Sequence, residues 1–315
     1  MPSYSIGVDL GGTNLRIAAL DEQGKVLEKI TRPARNPLGR DAVLDDMCRA
    51  IGELSGKFAG QLSLQGVGIG VPGIVDLHTG MLRKSPNLPG WEDYPVKKEI
   101  ENRLGSRVIL ENDANAAALG EQRLGAALDV EDMAMITLGT GVGSAFIFGG
   151  KIWHGMNGMA GEVGHMTLEP DGRLCKCGNR GCLEEYASAT AIMRMARETM
   201  HGDFSAEDVH RLARQGNDAA CHIFVEVGRA LGIAIASLVN ALNLPMYVIG
   251  GGVSAAWDAF SPAIFEELPK RSMVYAATAP GRVKAGGRIT VVTRAQLGSD
   301  AGLYGAARLP YMGAR

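Results

Sequence analysis

Short apolar runs and amphipathic segments alternate along the whole chain. Ser5–Leu10 is a mostly apolar run that predicts a strand, and a second strand, Leu15–Asp21, follows after Gly11–Gly12. Met133–Leu138 and Ser144–Phe148 repeat this arrangement around the glycine-rich sequence GTGVG. The repeat predicts two hairpins with glycine-rich turns, and it indicates that the chain consists of two related halves.

Helical periodicity appears between these strands. From about Asp41 to Ala59, apolar residues recur every three or four positions, the spacing of one buried helix face. Further helices are predicted at about Ala114–Leu124, Ala187–Met200, Ala206–Gln215 and Ala219–Leu242, with a short one beginning near Asp300. Further strands are predicted at Gly66–Val71, Arg107–Leu110, Met246–Ile249 and Ile289–Thr293. Alternating strands and helices with glycine-rich or polar strand ends indicate an α/β protein.

A chain of 315 residues is long for a single hydrophobic core, so two lobes are expected. We place residues 1–113 and 300–315 in a smaller N-terminal α/β lobe, and residues 114–299 in a larger C-terminal α/β lobe. Because no linker-like segment is evident, the connections are expected to be short crossings near residues 111–116 and 299–302.

The composition is that of an ordinary globular protein, with 46% hydrophobic residues, 21% charged residues and a net charge of -2. Without a basic tract, neither nucleic acid nor an acidic membrane surface is an expected partner. The opening MPSYSIGVDLGG lacks the basic segment and apolar run of an export signal, and no apolar stretch has the length of a membrane span. Together with thiols arranged for metal binding, these features predict a cytoplasmic location.

The segment from Gly161 to Glu184, GEVGHMTLEPDGRLCKCGNRGCLE, concentrates residues that bind metals. Its three cysteines are spaced C-x-C-x4-C, and a histidine lies ten residues before the first of them. Three thiolates and one imidazole form the closed tetrahedral ligand set of structural zinc, and glycines at 178 and 181 allow the loop to turn tightly. The predicted ligands are His165, Cys175, Cys177 and Cys182.

Two other interpretations of these cysteines remain open: buried free thiols beside an unrelated histidine, or a disulfide. Cys175 and Cys177 are too close in sequence for an easy bridge, so the spacing favours metal. The same loop carries Glu162 and Glu184. Carboxylates held rigidly beside a metal indicate a site for a polar ligand.

Three glycine-rich turns follow predicted strands, and their bare backbone amides are suited to phosphate oxygens because glycine permits close approach. A threonine hydroxyl adds a donor, and an aspartate at the strand end could hold Mg²⁺ directly or through water. The candidates are Asp9, Gly11, Gly12, Thr13 and Asn14 in the first turn, Thr140 and Gly141 in the second, and Gly251 and Gly252 in the third. An ordinary hairpin explains any one turn, but the three together indicate a polyphosphate site with a nucleoside face. The P-loop and the dinucleotide-binding fingerprint are both absent from the sequence.

Asn112 and Asp113 stand at a predicted strand-to-helix junction. Aspartate is a favoured N-cap, so capping of the alanine-rich helix is one interpretation of Asp113. The same junction lies at the carboxyl edge of the sheet, where α/β proteins bind ligands. The prolines of SPNLPGW would hold Asn87 stiffly, either in a binding loop or in a rigid turn. The remaining histidines, His154 among them, have no partner spacing and are interpreted as surface or core residues.

Taken together, these motifs resemble those of the ROK family of bacterial sugar kinases and sugar-responsive repressors. DLGGTNLR is similar to the family's first phosphate turn, LGTGVG to its second and GGGV to its adenosine segment. The cysteine segment resembles the signature E-x-G-H … C-x-C-G-x-x-G-C-x-E at every fixed position. The resemblance covers essentially the whole chain, and SPNLPGW, CGNRGCLEEYASA and SDAGLYGAA are most similar to the glucokinases of that family. It implies two ribonuclease H-like α/β lobes, as in hexokinase and actin, with a central cleft that closes on ATP and sugar.

The resemblance also implies a role for individual residues. Asp113 matches the catalytic base of the family. The positions that match sugar contacts are Gly73, Asn87, Asn112, Asp113, Glu162, His165 and Glu184. The zinc ligands match His165, Cys175, Cys177 and Cys182. One departure is Asn14, where many members carry lysine.

The implied activity is ATP-dependent phosphorylation of the 6-hydroxyl of glucose, with Mg²⁺ as the working ion, Zn²⁺ as a structural ion and a homodimer as the expected assembly. The same chemistry on another hexose or N-acetylhexosamine stays open: N-acetylglucosamine, N-acetylmannosamine, fructose, mannose or allose. A single sequence does not show how much space surrounds the sugar C2 position. A sugar-sensing repressor is not expected, because such proteins carry a DNA-binding module ahead of the kinase-like part and Asp9 stands close to the start.

Overall fold

The computed structural model describes residues 1–85, 88–284 and 286–312, and these residues form two units. The first consists of Met1–Asp129, Lys151–Ala160 and the chain from Ser299 onward, and the second of Val130–Gly150 and Gly161–Gly298. The strands are β1 (Ser3–Leu10), β2 (Asn14–Asp21), β3 (Val26–Pro33), β4 (Ser63–Val71), β5 (Ile74–Asp76), β6 (Met81–Lys84), β7 (Val108–Asn112), β8 (Met133–Leu138), β9 (Val142–Phe148), β10 (Lys151–Ile152), β11 (Met246–Gly250) and β12 (Val291–Arg294). The α-helices are α1 (Arg40–Phe58), α2 (Val96–Leu104), α3 (Asp113–Leu124), α4 (Glu184–Ala187), α5 (Ala189–Met200), α6 (Ala206–Arg214), α7 (Asp218–Leu242), α8 (Trp257–Arg271), α9 (Met273–Thr278) and α10 (Ala301–Arg308).

Each unit contains the same strand arrangement. In the first, β1, β2 and β3 are antiparallel neighbours, and β4 and β7 extend the sheet parallel to β1, in the order β3-β2-β1-β4-β7. In the second, β9 pairs antiparallel with β8, and β11 and β12 extend the sheet parallel to β8. This repeat confirms the α/β class. Because parallel strands end at a common edge, the loops after β1, β4 and β7 share one edge, and those after β8 and β11 share another.

The C-terminal helix α10 lies unusually close to the first sheet and to α3. Added Cβ atoms on Gly7 and Gly68 would meet the backbone oxygens of Leu303 and Ala306, so these glycines let α10 rest directly on β1 and β4. Where α10 crosses α3, a Cβ on Gly305 would fall on the carbonyl oxygen of Ala116. Close packing therefore requires the absence of side chains at these positions.

Replacing Gly305 by alanine is expected to destabilise the protein by about 1–3 kcal/mol, since the obstacle is backbone that cannot rotate away. The measurement is chemical denaturation of both proteins. The matched control is Gly56→Ala, at a helical position in α1 where nothing lies within 4 Å of the added Cβ. That change is expected to stabilise by roughly 0.5–1 kcal/mol through helix propensity. A Gly305→Ala variant as stable as the wild type would contradict this account of the α10 contact.

The core of the second unit is built around α7, a helix of 25 residues that begins after the N-cap Asn217. Among the described residues, α7 is the one helix long and apolar enough to cross a membrane, with a hydropathy of 1.6 in its most apolar window. Of that window, 67% is buried inside the unit, where residues such as Phe224, Leu231 and Ile235 pack against the sheet and neighbouring helices. Its apolar character is thus that of a core helix.

The structure differs from the sequence-based expectation in one helix and in the bounds of the lobes. The helix expected from Ala187 to Met200 is divided between α4 and α5, because Ser188 adopts an extended conformation (φ -81, ψ 163) and its side chain caps α5 by accepting from the Ala191 amide. We expected residues 114–299 to form the second lobe, whereas Lys151–Ala160 lies in the first unit, and so does α3. The close packing of Gly120 in α3 against Ala301 in α10 accounts for the place of α3.

Candidate active site

The β7–α3 junction presents Asp113 as the first residue of the helix, with Asn112 as its N-cap. The Asn112 side-chain oxygen accepts from the backbone amides of Ala114 (2.9 Å) and Asn115 (3.2 Å). Asn112 is therefore the N-cap of α3, although Asp113 Oδ1 also accepts a hydrogen bond from Ala114 N at 2.9 Å. The capping interpretation thus applies to the preceding residue, and the Asp113 carboxylate keeps its second oxygen for other chemistry.

Burial raises the pKa of Asp113 from 3.8 to about 7, and the charge of Asp9 adds to the increase. Asp9 lies at the end of β1, next to Arg16, whose Nη1 is 3.1 Å from Asp9 Oδ2. Burial also raises the pKa of Asp9, while Arg16 opposes the shift. An acid held near neutrality at a helix start is a candidate general base, because it can both accept and release a proton near pH 7.

Gly73 follows β4 at the same sheet edge, and its carbonyl accepts from Asn112 Nδ2 at 3.0 Å. Its φ of 110° lies in the region that favours glycine, and a Cβ there would meet the Lys84 carbonyl oxygen. Gly73 and Asn112, both expected near a sugar, are thus in direct contact. The expected contact Asn87 lies outside the described residues.

The first glycine turn, Gly11–Thr13, connects β1 and β2 at this edge. It is closed by a hydrogen bond from Gly11 N to Asn14 O (2.9 Å). The chain after β3 supports it: Ala34 N donates to Thr13 O at 2.7 Å, and Asn36 Nδ2 donates to Gly12 O at 2.6 Å. Because the turn's carbonyls are bonded to the protein, its amide side is the one suited to an anion.

The second glycine turn, Gly139–Gly141, is held by the start of α4 and α5. Glu184 Oε2 accepts from Val142 N at 2.9 Å, and Thr190 Oγ1 donates to Thr140 O at 2.7 Å. Ala189 N donates to Gly139 O at 2.8 Å. The carboxylate expected to contact sugar is therefore also bonded to the turn expected to contact phosphate.

The third glycine turn lies beside the second. Gly251 has a φ of 81°, and a Cβ there would collide with the Leu138 backbone, so the fold itself requires this glycine. At Gly139 and Gly252, in contrast, φ is not left-handed and nothing lies within 4 Å of an added Cβ. Neither conformation nor packing within the chain explains these two glycines. Both follow strands that end at the same sheet edge, β8 and β11.

The four predicted metal ligands form one cluster: the donor atoms of His165, Cys175, Cys177 and Cys182 all lie within 4.8 Å of one another. The sulfurs of Cys177 and Cys182 are 3.6 Å apart, and Cys175 Sγ is 3.7 Å from His165 Nδ1. Sulfur ligands about 2.3 Å from a tetrahedral zinc would be about 3.7 Å from each other, so the spacing fits the ion. All three are free cysteines, which excludes the disulfide interpretation.

The loop that carries the cluster turns at Gly178 (φ 95°) and Gly181 (φ 67°), as the sequence predicted. Burial raises the pKa of Cys182 to about 12 and also raises the pKa of Cys175. A bound cation would lower these pKa values, because it stabilises the thiolate form that binds metal. The donor set thus fits a bound zinc ion.

Glu162 is the N-cap and His165 the last residue of the 3-10 turn Val163–His165, at the start of this segment. His165 turns Nδ1 toward the sulfurs, while its Nε2 lies 3.9 Å from Glu162 Oε2. Ser144 in β9 fixes the segment by donating to Gly161 O and accepting from Val163 N (3.1 Å). The imidazole therefore connects the metal cluster to a half-exposed carboxylate, the arrangement expected when one ring nitrogen binds metal and the other meets a ligand.

Sequence reasoning missed one buried pair in the first unit. Glu111 is 1% exposed, and its Oε2 lies 2.8 Å from His154 Nε2. We interpreted His154 as an ordinary surface or core histidine because its partner is 43 residues away in the chain. The available signal was a carboxylate inside an otherwise apolar strand, directly before Asn112.

Comparison with known proteins agrees with this geometry. The ROK family model matches residues 5–311. The glucokinase of Halalkalibacterium halodurans is 38% identical, covering 96% of this chain and 93% of that protein. The glucokinase of Thermotoga maritima is also 38% identical, over 96% of each chain. The crystal structure of a ROK family glucokinase from Streptomyces griseus, in complex with glucose and AMPPNP, has a TM-score of 0.81 at 33% identity, covering 99% of this chain and all of that chain.

The fold and the candidate site at the sheet edges define a class of protein: a two-unit α/β protein of the actin and hexokinase type. The chain belongs to the ROK family.

Proposed function

We propose that this protein is an ATP-dependent glucokinase, which transfers the γ-phosphoryl group of ATP to the 6-hydroxyl of glucose. The observation that carries the proposal is Asp113, whose carboxylate stands at a capped helix start and has a pKa of about 7. The 38% identity to two glucokinases over nearly the whole chain supports the choice of glucose.

In the first unit, Asp113 would accept the proton of the 6-hydroxyl as that oxygen attacks the γ-phosphorus. Its near-neutral pKa matches this role, because a base is most effective when its pKa is close to the working pH. Asn112 and Gly73, held together by their hydrogen bond, would orient sugar hydroxyls. Asp9 would hold Mg²⁺, which when bound neutralises phosphate charge, and its raised pKa fits a carboxylate that gains from a cation.

In the second unit, Glu162 and Glu184 would bind sugar hydroxyls through charge-assisted hydrogen bonds. His165 would contact the sugar through Nε2 while Nδ1 holds the structural zinc with the three cysteines. Amides of the turn around Thr140 would bind phosphate oxygens, and the segment around Gly252 would lie against the nucleoside. We also propose a cytoplasmic location and a homodimer, which the family resemblance supports; light scattering of the purified protein tests the homodimer.

A coupled assay of ADP release over a panel of hexoses and amino sugars tests the proposal. We expect the highest kcat/KM with glucose, and far lower values with N-acetylglucosamine and N-acetylmannosamine. ADP release that is greatest with an N-acetylhexosamine would support a sugar kinase but would contradict glucose as its substrate. No ATP-dependent turnover with any sugar would reject the function.

Gly252→Ala is expected to raise KM for ATP by about tenfold or more while leaving the melting temperature and the KM for glucose nearly unchanged. The added methyl meets no protein atom within 4 Å, so its cost should arise only when nucleotide binds. Losing a few good contacts costs about 1.4 kcal/mol of binding free energy, which lowers the affinity for ATP about tenfold. Gly52→Ala, a similarly open position in α1, is the control and should leave both KM values unchanged. An unchanged KM for ATP in Gly252→Ala would remove this turn from the nucleotide site.

A further inference from the structure

The buried Glu111 carboxylate links three separate parts of the first unit. Through Oε2 it accepts from His154 Nε2 at 2.8 Å, and the two side chains are only 2% and 15% exposed. A carboxylate in such surroundings is costly unless it is fully hydrogen-bonded. The contact with His154 is therefore part of what makes a charge tolerable at this position.

The other oxygen of Glu111 reaches the base of α3. Oε1 accepts from the backbone amide of Asn112 at 3.0 Å and from Asn115 Nδ2 at 2.9 Å. One oxygen thus fixes the residue before Asp113 and a residue two positions after it. Because Asp113 stands between these two points, the direction of its Cα–Cβ bond depends on them.

Asn112 extends this network to the next loop. Its side chain caps α3 through the Ala114 amide and also donates to Gly73 O. A shift of Asn112 would therefore move the start of α3 and Gly73 together. His154, which belongs to a different segment of the first unit, is attached to all of these groups through Glu111.

We infer that Glu111 and His154 form a positioning pair that sets the orientation of Asn112 and Asp113. The inference rests on the proposed function, because its kinetic consequence is the placement of the catalytic base. His154 need not touch the sugar, since its effect passes through Glu111 to the backbone before Asp113. Small displacements of a reacting group have large effects, and a shift of 1 Å can cost on the order of 100-fold in rate.

The kinetic test compares His154→Ala, His154→Gln and the control His78→Ala, which removes an exposed histidine of the same unit. We expect His154→Ala to lower kcat by about 10–100-fold with little change in KM for ATP. Glutamine offers an N–H donor at a similar distance, so His154→Gln should recover most of the lost kcat. A role in stability alone would lower the melting temperature without this division between kcat and KM and without rescue by glutamine.

Hydrogen exchange of the wild type and the three variants provides the second readout, and it does not depend on activity. We expect faster exchange at the β7–α3 junction, residues 111–115, in His154→Ala, and wild-type exchange in His154→Gln and His78→Ala. Unchanged junction exchange in His154→Ala, or an unchanged kcat, would overturn the inference. A wild-type protein without sugar-dependent ADP release would reject the proposed function, while the exchange result would still decide whether the pair holds the junction.

Discussion

Asp113→Asn is expected to lower kcat by about 10³-fold, within the range measured for general bases, while glucose binds within about threefold of the wild-type affinity. The amide keeps the size and the hydrogen bonds of the side chain but cannot accept the 6-hydroxyl proton. The coupled assay gives kcat, and calorimetric titration of glucose gives the affinity. Asp41→Asn, also in the first turn of a helix of the first unit, is the control and should retain full activity. Unchanged turnover in folded Asp113→Asn would remove this residue from the mechanism.

The same variant should change two pH profiles. The base acts only when deprotonated, so wild-type kcat/KM is expected to fall as the pH drops below about 7. The folded pKa of Asp113 is higher than its ordinary value of 3.8, so the folded state binds the proton more tightly than the unfolded state does. The ionisation of Asp113 therefore lowers the free energy of unfolding as the pH rises from 3.8 to about 7. Asp113→Asn should abolish that dependence and be more stable than the wild type at pH 8.

Cys177→Ser is the second change with a large expected effect. Freshly purified wild-type protein should contain one zinc per chain, and the variant should lose it, because serine does not supply a thiolate ligand. Since His165 connects the cluster to Glu162, glucose affinity should fall at least tenfold, the loss typical when the support of a metal ligand is disturbed. Elemental analysis measures the zinc, and calorimetry measures the sugar.

Cys221→Ser provides the matched control for that experiment, because Cys221 lies in α7 and is a free cysteine that takes no part in the ligand cluster. It should keep both the zinc and the glucose affinity of the wild type. Wild-type protein without zinc would reject the metal assignment. A Cys177→Ser variant that has lost zinc but binds glucose normally would contradict the claim that the cluster supports glucose binding.

The elements that sequence analysis predicted are those with a strong period or a distinctive turn. The two hairpins, α1, α3, α6 and α7 lie within one or two residues of their predicted bounds. Strand β3 was missed because exposed charged residues interrupt its apolar pattern, as suits its place at the sheet edge. The extent of helix α8 was not predicted, since Pro262 and Pro269 lie inside it and proline ordinarily predicts a helix end.

In the candidate site as well, local sequence patterns were predictive and contacts between distant residues were not. The four predicted ligands, from His165 to Cys182, lie close together in the sequence, so spacing alone predicted the cluster that the structure contains. Asn112 caps α3, and Asp113 is the first residue of the helix. Because asparagine and aspartate are both good N-caps, the residue types alone did not show which of the two is the cap. The contact of Glu111 with His154 joins residues that no local pattern relates, and it required the folded chain.

The close seat of α10 on the first sheet also sets an order for folding during synthesis. Ala18 and Leu20 are covered by Leu303 and Ala307, which leave the ribosome only after every residue of the second unit. The nascent first unit must therefore keep an apolar surface open to water while residues 130–300 are translated. A stop codon just before residue 301 would release a chain whose second unit is complete and whose first unit lacks α10.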